Sequence, residues 1–254
     1  MLFPMDSPHD QLDELHRLTA ELADRVDRLD FGGRVAYTYN PLRYAAEPYK
    51  RYLDRFGRGK KEILFLGMNP GPWGMAQIGI PFGEINAARN WLKLEAPVER
   101  PAQEHPKRPV EGFDCSRSEV SGRRLWGLFS EEFATPEAFF ADHFVANYCP
   151  LVFMEESGKN FTPDKLPKAE SAPLFTACDD HLEGLLHIFR PRFLLGVGKF
   201  AYKQLLRVAG RLPVEERKGI TIDSILHPSP ASPAANRGWA AAAKQKLHAV
   251  GAWN

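Results

Sequence analysis

Residues Ile63 to Met68 form a short, almost wholly apolar run, and Asn69-Pro70-Gly71-Pro72 stops it abruptly. Such a run, bounded by turn residues, predicts a strand buried on both faces in the interior of a sheet. Prolines 70 and 72 fix φ and delete two backbone donors, while Gly71 allows a close approach or an unusual turn. The product is a stiff loop that holds one amide side chain, Asn69, at the strand's C-terminal tip. Open α/β sheets bind their ligands at such tips. A buried strand of this kind needs parallel neighbours and helices to cover it.

The rest of the chain supplies them. Phe144 to Ala146 leads into Asn147-Tyr148-Cys149-Pro150, Phe193 to Val197 ends at Gly198-Lys199, and Ile220 to Leu226 stops at His227-Pro228-Ser229-Pro230. Between 8 and 29, Leu12, Leu15, Leu18, Leu22, Val26 and Leu29 keep helical spacing. Further helices are expected over 84–94, 123–133 with Ser121 as N-cap, 135–141, 172–189, 200–209 and 234–250. Residues 37–56, rich in Tyr and Arg, fit a loop and packed helix or a DNA-facing surface. Residues 97–122 and 156–171 read as loops, long enough to be functional.

Repeated strand, loop and helix imply an α/β fold. The expected form is a single domain over 1–254, with a central four-stranded parallel sheet, helices on both faces, and residues 1–8 flexible. All strand C-terminal ends then lie on one edge. Asn69, Asn147, Gly198 and His227, far apart in sequence, converge there.

Composition excludes more than it selects. A net charge of +1 gives no whole-molecule field for nucleic acid, so any phosphate contact must be local. Three scattered cysteines argue against a disulfide framework and against a four-cysteine metal site, and favour a reducing, intracellular setting. No run of about 18 apolar residues offers a membrane span, and the N-terminus does not read as a signal peptide. The glycines of 71–83 match neither phosphate-binding pattern, and the prolines remove N–H groups that a phosphate cradle would use. No G-x-S-x-G elbow and no metal-ligand spacing occurs. No metal and no cofactor is expected.

Two amides and an imidazole remain. Asn can orient a water or bind an amide-like edge. A neutral His can donate to an oxygen that gains negative charge. The set suits departure of a leaving group already stable as an anion. A hydrolase acting on free nucleosides and a non-catalytic damage-binding module stay open on these residues alone, as does a purely structural role for His227.

Gly67-Met68-Asn69-Pro70-Gly71-Pro72, Gly74-Met75-Ala76-Gln77 and Pro81-Phe82-Gly83-Glu84 resemble the first motif of the single-strand-selective monofunctional uracil-DNA glycosylases, within the uracil-DNA glycosylase superfamily. His227-Pro228-Ser229-Pro230, Pro233, Ala235-Asn236 and Gly238-Trp239 resemble the second. Residues 103–110, Ser118-Glu119-Val120-Ser121-Gly122 and Asn147 with Cys149-Pro150-Leu151 are similar too. The resemblance spans about 10 to 250. It implies hydrolytic excision of uracil and relatives such as 5-hydroxymethyluracil from single- and double-stranded DNA, by a monomer without metal or cofactor.

It also implies roles. Asn69 would position the attacking water and His227 would stabilise the uracil anion at O2. Asn147 would read the base edge, Phe82 would stack on the flipped base, and Met68, Gly71 and Met75 would complete the pocket. Lys107, Arg108, Lys199 and Arg237 are candidate phosphate contacts, or else simply solvated surface cations. Gly198, Pro228, Ser229, Pro230, Ala231, Ser232 and Asn236 would meet DNA around a wedge loop running from Pro230 to Arg237. Vertebrate members carry arginine where this chain has Ala231, so weaker engagement of the opposite strand is expected here. Asn rather than Asp at position 69 implies slower chemistry than in the aspartate-using uracil enzymes.

Overall fold

The computed structural model describes residues 8–253, so the expected flexibility of 1–8 lies outside the described residues except at Pro8, which opens a helix. The chain begins with α1 (Pro8–Asp27), β1 (Tyr37–Tyr39), α2 (Pro41–Tyr44), α3 (Ala46–Phe56), β2 (Ile63–Gly67) and α4 (Met75–Ile78). After a long irregular stretch come α5 (Val120–Glu132), α6 (Pro136–Asp142), β3 (His143–Asn147), β4 (Val152–Met154) and β5 (Asn160–Phe161). The chain continues with α7 (Lys168–Phe189), β6 (Phe193–Val197), α8 (Lys199–Ala209) and α9 (Val214–Arg217). It closes with β7 (Thr221–Ile225), α10 (Pro233–Asn236) and α11 (Trp239–Ala249).

The expected four-stranded sheet is present, all parallel, in the order β3-β2-β6-β7. Every residue of β2 and β6 is buried, which is why both read as unbroken apolar runs. At the edge, β7 buries only Ile225, and its polar residues Asp223 and Ser224 are partly exposed. The chain crosses from β2 to β3 on one side, then returns to β6 on the other side of β2. Strand order therefore reverses beside the tip of β2, where crevices form in open sheets. A continuous apolar core runs from Leu12 and Leu15 on α1 to Ala243 and Leu247 on α11.

Several local expectations change. A second, small antiparallel sheet, β1-β4-β5, pairs Tyr37–Tyr39 with Val152–Met154, where the sequence offered only loops. Tyr39, Tyr44, Tyr49 and Tyr52 are buried, and Tyr52 donates to Val145 O at 2.8 Å, so 37–56 packs inward rather than facing DNA. Helix α5 starts at Val120 with Glu119 as N-cap, and Ser121 is buried in its first turn. Helix α7 starts at Lys168 and carries Pro173 inside, although proline normally marks a first turn. Between 84 and 94 the helix runs only from Ile85 to Trp91, and widens to a five-residue turn over Ala87–Trp91. The final helix is broken at Gly238, whose φ of 128° ends α10 and starts α11.

Lys61, just before β2, is 2% exposed and donates its ammonium to Phe140 O. Burial pulls its pKa down to about 8, against 10.5 for an ordinary lysine. Its charge thus destabilises the fold below pH 8, and the penalty fades as pH rises to 10.5. The stability of the wild type relative to Lys61→Met should rise by roughly 2 to 3 kcal/mol across that window. Urea unfolding of both proteins through the range tests this; parallel pH profiles would contradict it.

Candidate active site

Pairing of β2 with β3 continues past the strand ends. Gly67 lies opposite Asn147 in register. Tyr148 N donates to Gly67 O at 3.0 Å, and Cys149 N donates to Met68 O at 2.8 Å. Asn69 Nδ2 then donates to Leu151 O at 3.2 Å. One end of the Asn69 amide is thereby anchored, and Oδ1 makes no hydrogen bond among the described residues. It is an acceptor held in place, as an orienter of water must be.

Gly67 sets the pocket. A Cβ there would overlap Asn147 Oδ1 and approach Phe82 Cε2 at 2.5 Å, so the Asn147 amide and the Phe82 ring meet over a residue without a side chain. Asn147 Nδ2 donates to Met75 Sδ at 3.1 Å. A thioether is a weak acceptor, so this bond is readily exchanged for a stronger one. Phe82 has φ 52°, a strained value for a bulky residue. Trp126 Nε1 donates to Phe82 O at 3.1 Å, and Gly122 packs against the same carbonyl so closely that any Cβ would overlap it. Phe82 is buried, but against the site: its ring centroid is 6.3 Å from that of His227, at 41°.

His227 follows β7 and is half-buried. Desolvation holds its pKa below the ordinary imidazole value, and its ring makes no hydrogen bond among the described residues. Gly198, with φ 94°, lets the chain turn while lying 3.1 Å (as a Cβ) from His227 Cβ. The loop beyond is braced from α5: Arg124 donates to Pro228 O at 3.1 Å and to Asn236 Oδ1 at 2.8 Å. Asn236 Nδ2 donates to Pro230 O at 2.9 Å, so this amide is engaged within the loop. Ser229 Oγ accepts from Ala231 N and Ser232 Oγ from Ala235 N. Pro230, Ala231 and Arg237 are exposed, as are Lys199 and Lys107. Arg108 lies beside Trp73, its Cζ 4.8 Å from the ring centroid.

The Asn69 loop itself is backed by Glu119. Burial raises this carboxyl's pKa, while the N–H groups of Trp73 and Ser121 act in the other direction. A Cβ at Gly71 would overlap its Oε2, and one at Gly74 would lie 2.9 Å from its Cγ. Gly71 therefore touches Glu119 as well as bordering Asn69 in sequence. Gly67, Glu119, Trp126 and Arg124 were not singled out from sequence as parts of the site. Only the glycine in an otherwise branched, apolar strand carried a signal, since a bare position there marks a close approach.

Asn69, Met75, Phe82, Asn147, Gly198 and His227 thus share one rim of the sheet. Among the described residues no group of three or more His, Cys, Asp or Glu is placed to hold a metal ion. No helix among them is long and apolar enough to cross a membrane. The arrangement offers a stacking ring, an edge-reading amide, a fixed acceptor and a neutral imidazole.

Comparison with known proteins finds relatives along nearly the whole chain. Residues 55–253 match the uracil DNA glycosylase superfamily. The single-strand selective monofunctional uracil DNA glycosylase of Bos taurus is 43% identical over 251 residues, covering 99% of this chain and 91% of its own. The protein of that name from Mus musculus is 46% identical over 240 residues, covering 94% of this chain and 83% of its own. The crystal structure of wild-type Pedobacter heparinus SMUG2 superposes with a TM-score of 0.63 at 17% identity, covering 92% of this chain and 97% of that one. At that identity it speaks for the fold alone.

The Gly67→Ala protein should fold but lose the pocket, because its methyl competes with Asn147 and Phe82. A cost of about 1 to 3 kcal/mol in urea unfolding is expected, with at least a hundredfold loss of any activity at this rim, on the order of one preorganised donor. An active Gly67→Ala protein would show that the two side chains do not act over that residue.

Proposed function

Because this chain belongs to the uracil DNA glycosylase superfamily, we propose that it is a monofunctional DNA glycosylase. It extrudes uracil, or a related damaged pyrimidine such as 5-hydroxymethyluracil, and hydrolyses the N-glycosidic bond to leave an abasic site for base excision repair. The observation that carries the reading is the meeting of the Asn147 amide and the Phe82 ring over Gly67, with the His227 ring 6.3 Å from Phe82.

Extrusion costs a few kcal/mol, which stacking on Phe82 and edge hydrogen bonds offset. Asn147 gives up its weak bond to Met75 and places a donor and an acceptor on the uracil edge. Met68, Gly71 and Met75 close the pocket near C5. The bond from C1′ to the base nitrogen breaks with its electron pair going to uracil. His227, kept neutral by burial, donates a hydrogen bond to O2, where the charge develops. Asn69 Oδ1 accepts a hydrogen bond from a water, whose oxygen adds to C1′ as one of its O–H bonds breaks; the proton released balances the charge of the departing uracil anion. The loop from Pro228 to Arg237, with Gly198 and Lys199 beside it, faces the DNA. Small Ala231 at its tip fills a vacated stack poorly.

In this reading residues 1–254 act as one catalytic unit, in agreement with the core shared from α1 to α11. The protein works as a monomer inside the cell, in the compartment that holds its DNA, on single- and double-stranded substrate.

Single-turnover excision from a uracil-containing oligonucleotide should fall roughly a hundredfold or more in both Asn69→Ala and His227→Leu, the scale of one preorganised transition-state donor. The wild-type rate should hold as pH drops through about 6.5, where free imidazole titrates, and decline only below it, because burial depresses the His227 pKa. Near-full rates in both variants, or a decline already centred above 6.5, would overturn the assignment.

A further inference from the structure

Trp73 stands four residues after Asn69 on the same loop, and two guanidinium groups lie over its indole. Arg108 Cζ is 4.8 Å and Arg117 Cζ 4.4 Å from the ring centroid. The two positive charges therefore sit within about 9 Å of each other, where they repel. Several other arginines pair with carboxylates, as Arg43 does with Asp24 and Asp27, and Arg207 with Asp179. Neither Arg108 nor Arg117 has such a partner among the described residues. Each is held by the indole face, an interaction worth about 0.5 to 1 kcal/mol at an exposed site.

Arg108 is also fixed in place from beneath. Arg108 Nε donates to Gly158 O at 2.9 Å. Tyr39 Oη accepts from His105 N at 2.6 Å and donates to Arg108 O at 2.9 Å, which sets the turn that carries Arg108. Buried Gln77 ties that turn to the Asn69 loop. Its Nε2 donates to Pro72 O at 3.2 Å and to Pro109 O at 3.0 Å, while its Oε1 accepts from Glu111 N at 2.7 Å. Trp73 and Arg108 thus move as one body with the loop that holds the candidate catalytic amide.

We propose that Arg108 and Arg117, held on Trp73, form a phosphodiester clamp for the lesion-bearing strand beside the extruded nucleotide. An anion between two like charges removes their repulsion and gains two charge-assisted hydrogen bonds. A basic surface with an aromatic support is how single strands are gripped without reading sequence. Its turn is tied through Gln77 to the Asn69 loop, so the clamp holds the strand being repaired and needs no wedge in the complementary one. The inference rests on the reading of DNA as substrate.

The test is fluorescence anisotropy of a labelled, undamaged single-stranded oligonucleotide across a salt series. The slope of log affinity against log salt should be about 0.7 shallower in Arg117→Gln, and about 1.4 shallower in the Arg108→Gln, Arg117→Gln double variant, one step for each phosphate no longer engaged. Lys218→Gln, just after α9 and paired with Glu215, should keep the wild-type slope. If the double variant does not fold, Arg117→Gln alone decides, since Arg117 is exposed and its side chain makes no hydrogen bond among the described residues. Unchanged slopes in folded variants would overturn the clamp. Uracil excision by the wild type, assayed in parallel, separates the two ideas. Excision with unchanged slopes removes the clamp alone, whereas shallower slopes without excision remove the glycosylase reading and leave the clamp.

Discussion

The close approach of both Asn147 and Phe82 to the bare Cα of Gly67 is the constraint on which the rest of the molecule turns. Parallel pairing sets Gly67 directly opposite Asn147, and alternation of side chains along β2 aims the bare position at the crevice. Any larger residue there would fill the space in which a ring and an amide can grip a flat, edge-polar ligand. The same pairing, carried on through Met68 and Asn69 to Leu151, fixes the second amide. Strand register thus becomes pocket geometry with no flexible step between them.

Holding that geometry requires local strain and the groups that offset it. Phe82 occupies a left-handed backbone conformation that costs on the order of 1 to 3 kcal/mol. Trp126 and Gly122 clasp its carbonyl, so α5 maintains the strain from behind. From the same helix, Arg124 braces the loop after His227, and Glu119, its N-cap, backs Gly71 and Gly74. One helix therefore supports three sides of the rim. Residues that face the ligand and residues that position them are separate sets, and the second set is mostly buried.

How much of this a sequence can disclose follows from the range of each interaction. The strands β2, β6 and β7 and the long helices announce themselves by local pattern, and parallel topology then predicts which loops meet. That reasoning alone puts Asn69, Asn147, Gly198 and His227 on one rim. Strands of two or three residues, such as β1 and β5, have no period of their own and exist because partners bury them. Glu119 stood in the sequence only within a shared motif, and packing against Gly71 explains why a carboxyl sits there. Asn236 looked free to meet DNA, yet its amide is engaged by Arg124 and Pro230. Ser121 had the right chemistry for an N-cap, but the helix starts at Val120, three residues before the expected start at 123.

In the proposed mechanism one flat base is gripped by Phe82, Asn147 and His227 together. A crystal structure of the protein with free uracil and an abasic-site oligonucleotide shows whether it is. The uracil ring should lie on Phe82, with the Asn147 amide on its N3 and O4 edge and a His227 nitrogen within hydrogen-bonding distance of O2. A uracil seated away from Gly67, or a His227 ring facing another part of the base, would contradict it.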